Sequence, residues 1–505
     1  MGVDLVDITA KRAALTPHRH AFIDVTSGRR LTYAQLDDRA ARAAAVLAAH
    51  GVGREDRVAI LCRNRIEFFE IMFACAKRGA ILVPLNWRAP VAELAPILDD
   101  CAPKLLLYGA EDADTARALG GGVTLLGLDR DYEALLAEHA PYAGERSWQG
   151  DAIWSLIYTS GTTGTPKGVI QTYQMAAVNA FHVQQAFGLR DGDHTLNFLP
   201  LFHTAGIQLL TMPALMAGGT VSVLPGFDAD RALDLMPSLD VFFAVPAVYQ
   251  ALALHPRFDA TNFANVRAWG CGGAPLADAL VHRYAARGVR VCNGYGMTET
   301  GPTAFVAAQE DALDKVGSVG KPQLLLDVRI VDAQGKDVAT GEVGEVWMRG
   351  AGLTPGYWRR PDENARAFTS DGWLKSGDLG RCDADGCYYI AGRIKEMYIS
   401  GGENVYPAEV ENVLAHHPDV LEAAVIGVAD ARWGEVGCAY VIARPGHVVD
   451  AHRLSSFCRE RLAAYKVPRE FVALPEFPRT PAGKVRKHLL ASHAGAPIAS
   501  NDPGR

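Results

Sequence analysis

The segment YTSGTTGTPKGV at residues 158–169 gathers the groups that a polyanion needs. Gly161, Gly164 and Gly168 let the backbone take positive φ and bring its N–H groups close to an anion. Thr159, Ser160, Thr162, Thr163 and Thr165 add hydroxyl donors, and Lys167 supplies a full positive charge. Most Gly/Thr clusters are plain surface turns, but the density of donors around one lysine favours phosphate. A Walker A loop would end in Gly-Lys-Ser/Thr, whereas this one ends in Pro166-Lys167-Gly168. The expectation is a phosphate loop outside the P-loop NTPases.

Further blocks follow in a fixed order: NFLPLFHTAG (197–206), WGCGGAP (269–275), NGYGMTET (293–300), KSGDLG (375–380), AGRIKEMYISGGENVYPAEVE (391–411) and PRTPAGKVRK (478–487). Taken singly each has a bland reading. A histidine in an apolar stretch is more often a satisfied core residue than a catalyst, an acid in a loop usually makes a weak surface salt bridge, and a Lys/Arg-rich turn is usually a solvated one. Together and in this order they are specific. The chain resembles the adenylate-forming (AMP-binding) superfamily of acyl-CoA synthetases, luciferases and peptide-synthetase adenylation domains over nearly its whole length, and within it the bacterial fatty-acyl-, feruloyl- and coumaroyl-CoA ligases.

The resemblance implies an AMP-forming acid–CoA ligase. ATP and a carboxylate give acyl-AMP and pyrophosphate, with Mg²⁺ required, and the acyl group then passes to the thiol of CoA. It also implies residue roles. The opening loop holds the β- and γ-phosphates. Lys484 contacts the carboxylate and the α-phosphate region during adenylation. Gly272, Gly273 and Ala274 line the nucleotide and acyl pockets, with Cys271 a wall residue. In the block Asn293, Gly294, Tyr295, Gly296, Tyr295 stacks on adenine and Asn293 reaches its edge; Thr298 touches the α-phosphate and Glu299 helps hold Mg²⁺, for which one carboxylate beside phosphate oxygens is chemically adequate. Asp378 accepts from the ribose hydroxyls, with Arg393 as companion donor. His203 is a gate beside the reacting carboxylate. The small C-terminal domain swings about a hinge at Lys395, bringing the loop of Gly401, Gly402 and Glu403 into the site to form the pantetheine tunnel. The family's lysine at the position of Lys484 is also a target of acylation.

The acyl pocket is expected near His203, Ala205, Gly206, Gly272, Met297 and Pro302. No Arg or Lys lies in 203–206, 272–275 or 297–303, which disfavours a dicarboxylate, whose second charge would need a partner. A fatty or an aromatic, phenylpropenoate-like monocarboxylic acid is expected. The rival readings are an adenylating module that feeds a carrier protein, a luciferase-like oxygenase, and a degenerate non-catalytic binding protein. No carrier domain follows, and every motif residue named is present.

The elements that must position these residues alternate. The apolar stretch 152–158 before the opening loop reads as a buried strand. Thr32 can cap a helix ending near Gly51, followed by a strand at 56–62; 67–79 and 80–85 repeat the pattern, as do 279–288 and 289–296. That predicts layered α/β sheets. From about Ser318 short alternating strands at 327–338 and 344–350 predict a small β subdomain, and the strands at 420–428 and 438–446, with helices near Pro407 and over 450–464, predict a compact α+β unit. The fold class expected is α/β: an N-terminal adenylation domain over 1–394, a small mobile C-terminal lid domain over 395–490, and a disordered tail over 491–505.

The whole chain fits that reading. At 505 residues and 49% hydrophobic it exceeds one ordinary domain. A net charge of −7 with no extended Lys/Arg block gives no electrostatic support for nucleic-acid binding. Nine cysteines without a CxxC pair or ligand-like cluster, no signal peptide and no membrane-length apolar run predict a cytoplasmic protein with reduced thiols. The sequence leaves room for a weak homodimer.

Overall fold

The structure is a computed structural model that describes residues 4–144, 147–159, 166–274, 276–479, 485–491 and 496–497. Its helices begin and end where local chemistry dictates. The Thr32 side chain accepts from the N–H of Gln35 while the Gln35 side chain accepts from the N–H of Thr32, a reciprocal cap that starts the helix Tyr33–Ala49. The helix Ile66–Arg78 is buried on nearly every face and ends at Gly79. Strands Arg57–Leu61 and Ile81–Pro84 follow these two helices as anticipated.

Among the described residues the first sheet orders its strands Lys167–Thr172, Ile153–Thr159, Ile81–Pro84, Arg57–Leu61, Leu105–Tyr108 and Thr124–Gly127; only the first pair is antiparallel. A second sheet runs His194–Asn197, Thr220–Val223, His20–Asp24 and Arg30–Thr32. A third places Val241–Ala244, Ala268–Cys271 and Val291–Met297 in parallel, then adds Gly301–Val306 and Lys321–Pro322 antiparallel. The anticipated β subdomain is a wholly antiparallel sheet of Leu326–Val331, Gly344–Gly350, Leu374–Cys382 and Tyr388–Arg393.

The C-terminal sheet is separate. The long antiparallel pair Val420–Asp430 and Gly434–Ala443 forms its centre, with Tyr398–Ser400, Glu403–Val405 and Glu470–Ala473 beside it. Helices Pro407–Ala415 and Ala451–Arg459 pack on it; the second stops short of the predicted 464, where a short 3₁₀ turn, Ala464–Lys466, takes over. Of the tail expected to be disordered, 491 and 496–497 are described, and Ala496–Pro497 pairs with Val472 and Ala473.

The largest core joins the first two sheets through Phe22, Phe69, Trp154 and Tyr173, with Trp154 stacked on Tyr173 at 5.0 Å. A carboxylate lies inside it. Glu70 is fully buried and accepts from Arg39 Nε at 2.6 Å, from Arg29 at 3.3 Å and from the Tyr132 hydroxyl at 2.9 Å. Burial pushes its carboxyl above the usual range while Arg39 pulls it back. Arg39→Met should therefore cost about 3 kcal/mol of unfolding free energy in urea titration, because it strands a buried charge; a cost below ~1 kcal/mol would show that Arg29 alone suffices.

Candidate active site

The opening loop stands on a hairpin whose two feet are fixed. Thr159 and Lys167 are register partners in the antiparallel pair that begins it. Ser160, Gly161, Thr162, Thr163, Gly164 and Thr165 lie outside the described residues, as do Pro275 and Lys484. Lys167 itself is placed: its Nζ makes an ion pair with Glu363 and sits 5.6 Å from the centre of the Tyr357 ring.

The strand descending from Lys167 reaches the Met297–Thr300 turn. Gln171 Nε2 donates to the Thr298 carbonyl at 2.9 Å, and Thr354 N–H donates to the Glu299 carbonyl at 2.7 Å. Glu299 is only 8% exposed, and the Tyr357 hydroxyl donates to its Oε1 at 2.8 Å. Burial pushes this carboxyl above the usual glutamate range, with the Tyr357 hydroxyl opposing the shift. A buried carboxylate whose hydrogen-bond donors are neutral is an environment that a bound cation would relieve, so the residues fit Mg²⁺.

A second cluster meets where the third sheet faces the β subdomain. Asn293, Gly294, Tyr295, Gly296 and Met297 run along the strand Val291–Met297, which turns back through Gly301–Val306 with Tyr295 opposite Phe305 and Met297 opposite Gly301. Pro302 lies in that return strand. The Tyr295 hydroxyl donates to Asp378 Oδ2, and Arg393 Nε lies 3.1 Å from Asp378 Oδ1. Burial and the Asp378 charge push the Tyr295 hydroxyl far above its ordinary pKa. Three residues from three blocks therefore converge: one aromatic, one acid, one guanidinium.

His203, Ala205 and Gly206 occupy a tight turn at the end of the second sheet. Ala205–Leu209 is a π-helical turn, a form that recurs at functional sites. It closes because residue 206 is glycine: a Cβ there would lie 2.3 Å from the Pro200 carbonyl oxygen. Asn197 Nδ2 donates to the Gly206 carbonyl at 2.7 Å and to Thr211 Oγ1 at 2.7 Å, while Asn64 donates to Asn197 Oδ1 at 2.8 Å. The His203 ring packs on Phe202 at 4.6 Å.

Gly272 is buried at the end of the strand Ala268–Cys271, while Gly273 and Ala274 are exposed. Lys395 is exposed in the turn after Arg393, where the Glu396 N–H donates to the Arg393 carbonyl at 3.0 Å. Gly401 and Gly402, both at positive φ, form the two-residue tip of the hairpin between Ser400 and Glu403, on the C-terminal sheet.

Residues that the motif reading passed over also border the site. Tyr357 and Glu363 belong to the stretch GYWRRPDENA, whose aromatic and acid lie six residues apart and carry no signature of their own. Phe243 precedes the helix Pro246–Leu254 and reads as core; only its contact with Gly270 and Gly272 marks it.

Comparison with known proteins gives the family and the fold. Residues 9–358 match the family model described as AMP-binding enzyme, and 409–484 the model of the AMP-binding enzyme C-terminal domain. The chain is 40% identical over 479 residues to a feruloyl-CoA synthase of Amycolatopsis sp, covering 94% of this chain and 96% of that one. It is 37% identical over 497 residues to the long-chain-fatty-acid–CoA ligase FadD13 of Mycobacterium tuberculosis (97% and 98%). Its fold superposes with a TM-score of 0.89 on o-succinylbenzoate CoA synthetase (MenE) of Bacillus subtilis in complex with an acyl-adenylate intermediate, at 33% identity, covering 98% and 99%.

The chain belongs to the AMP-binding enzyme family. It is an AMP-forming acid–CoA ligase: ATP and a carboxylic acid give an acyl-AMP, which CoA then takes up. No helix among the described residues is long and apolar enough to cross a membrane.

The Gly206 turn generates a direct test. Gly206→Ala forces a methyl group into the Pro200 carbonyl, and the expected loss is about 1–3 kcal/mol, read as a lowered Tm together with reduced adenylation. Unchanged Tm and activity would mean that the π-helical turn relaxes freely.

Proposed function

We propose that the acid is an aromatic monocarboxylate of the phenylpropenoate type. The observation that carries this is the aromatic wall beside the predicted acyl pocket. A Cβ on Gly270 would lie 2.4 Å from Phe243 and 2.7 Å from Phe187, and one on Gly272 2.9 Å from Phe243. Phe187 and Phe243 meet edge to face at 6.1 Å, and Ala205 packs against the same cluster. Two predicted pocket residues, Ala205 and Gly272, therefore border one aromatic surface. The two phenyl rings pack directly onto these glycines and close that side against a long open channel, and a flat ring seated against such a wall has little entropy to lose. The feruloyl-CoA synthase relative supports the reading, as does the absence of Arg or Lys from 203–206, 272–275 and 297–303.

On this reading the carboxylate lies beside His203, and the nucleotide spans from Tyr295 to the opening loop. Asp378 and Arg393 face the ribose hydroxyls, which join the contacts that these two side chains already make with each other. Thr298 faces the α-phosphate. Glu299 would hold Mg²⁺, which supplies charge neutralisation of the phosphates. Lys484 brings a positive charge to the two anions that must approach each other. Aimed charge in a water-poor cleft is the strongest lever such a reaction can draw on, about 10²–10³ in rate for one donor. The lid begins at Lys395, and its rotation exchanges Lys484 for the Gly401–Gly402 hairpin. Nine free cysteines, eight of them buried, suit a reducing cytoplasm.

Mass spectrometry of products from ATP, Mg²⁺, CoA and a panel of cinnamic, indolic, fatty and dicarboxylic acids tests the substrate. Cinnamoyl-type thioesters should dominate, and Phe243→Ala should extend turnover to longer acyl chains; wild-type preference for long fatty acids would overturn the aromatic reading. Lys484→Ala should lower adenylation by about 10²-fold or more while sparing thioester formation from supplied acyl-AMP. Equal loss in both half-reactions would show that Lys484 does not act in adenylation alone.

A further inference from the structure

We propose that Glu363 is a positioning residue that competes with the phosphate tail of ATP, and with pyrophosphate, for the Lys167 ammonium. The inference rests on reading the 160–167 loop as the phosphate site. Lys167 is the first residue of its strand and projects from one foot of that loop, opposite Thr159. Its side chain is 14% exposed and that of Glu363 20%, so the ion pair between them is partly shielded from water. The ammonium also lies over Tyr357, whose hydroxyl reaches Glu299. The cation expected to meet the phosphates is thus already neutralised by a protein carboxylate.

Glu363 cannot follow Lys167 when a phosphate draws the lysine away. Its helix, Pro361–Ala367, is tied to both strands that carry the loop. Trp358 N–H donates to the Gly168 carbonyl at 2.8 Å, and Ile170 N–H to the Gly356 carbonyl at 3.1 Å. Tyr357 N–H donates to Asn364 Oδ1 at 2.7 Å. Arg360 pairs with Asp100 at 2.6 Å, and Asp100 accepts from the Tyr158 hydroxyl at 2.6 Å. Arg366 stands 3.3 Å from the other Glu363 oxygen, so the carboxylate keeps a cation after Lys167 departs. Lysine, in contrast, has a long flexible stem and three rotatable donors.

The arrangement is an exchange of anions on one ammonium. Each phosphate tail that binds must displace the carboxylate, so the pair weakens ATP and pyrophosphate together and leaves AMP, which has no tail, untouched. Pyrophosphate has to leave before CoA can react productively, and a resident carboxylate recaptures the lysine and hastens that departure.

Calorimetric titration of the full-length enzyme with ATP, pyrophosphate and AMP, in the absence of acid substrate, tests this with Glu363→Gln, Lys167→Ala and the double variant. Glu363→Gln should tighten ATP and pyrophosphate about two- to fivefold, the range open to a partly exposed ion pair, leave AMP unchanged, and lose its effect in the Lys167→Ala background. Weaker or unchanged ATP binding in Glu363→Gln would overturn the competition, because a carboxylate that merely props the lysine in place would give that sign. Equal shifts for AMP and ATP would also overturn it, as general loosening of the site. The phosphate-loop reading fails separately, if Lys167→Ala binds ATP and pyrophosphate as the wild type does.

Discussion

The hydrogen bond from the Tyr357 hydroxyl to Glu299 is the contact through which the segments carrying Lys167, Thr298 and Glu299 are held together. Glu299 sits in the turn between two strands of the third sheet. Tyr357 is bridged by its backbone to Val169, on the strand that descends from the opening loop. One side chain therefore registers the first sheet, the third sheet and the segment leading to the helix Pro361–Ala367. The bond also answers an electrostatic problem. A carboxylate removed from water needs a partner, and a neutral hydroxyl holds it without cancelling its charge. Arginine at that place would bind more strongly and leave nothing for a cation to do.

A comparable pairing operates in the C-terminal domain. Lys487 Nζ lies 2.7 Å from Glu411 and 3.1 Å from Glu396. Burial alone would pull its ammonium down, but the two carboxylates override that and hold it above the usual range. This trio joins the segment just after Lys484 to the helix Pro407–Ala415 and to the residue following Lys395.

Much of this was legible in the sequence because glycine-rich turns and helix caps are local. Thr32 with Gln35, Gly79 after its helix, and the Gly401–Gly402 hairpin announce themselves by residue type within a few positions. The resemblance paired Asp378 with Arg393, but the Tyr295 hydroxyl bond to Asp378 was not legible, since no local rule joins residues so far apart in the chain. What stayed hidden had no local signature at all. Glu363 reads as a surface acid in a short helix, and its meaning comes from Lys167, which approaches it only when the first sheet and the 351–368 segment pack together. Phe243 reads as one more apolar strand residue, and meets Gly270 only because the strands Val241–Ala244 and Ala268–Cys271 set it opposite that glycine in register. Pairing between strands, rather than propensity along them, carries that information.

These features share a physical logic. A ligase of this kind handles three anions, the carboxylate, the triphosphate and the departing pyrophosphate, and it must release what it binds. Permanent strong cation sites would hold the product as firmly as the substrate. The structure instead provides partners that each already have a protein counterpart: Glu363 for Lys167, Tyr295 and Arg393 for Asp378, Tyr357 for Glu299. On the proposed reading, binding exchanges one set of hydrogen bonds for another, and the net free energy is the difference between two paired states. A difference of that kind can reverse when the bond between the α- and β-phosphates breaks, and a site built to turn over needs that property more than it needs affinity.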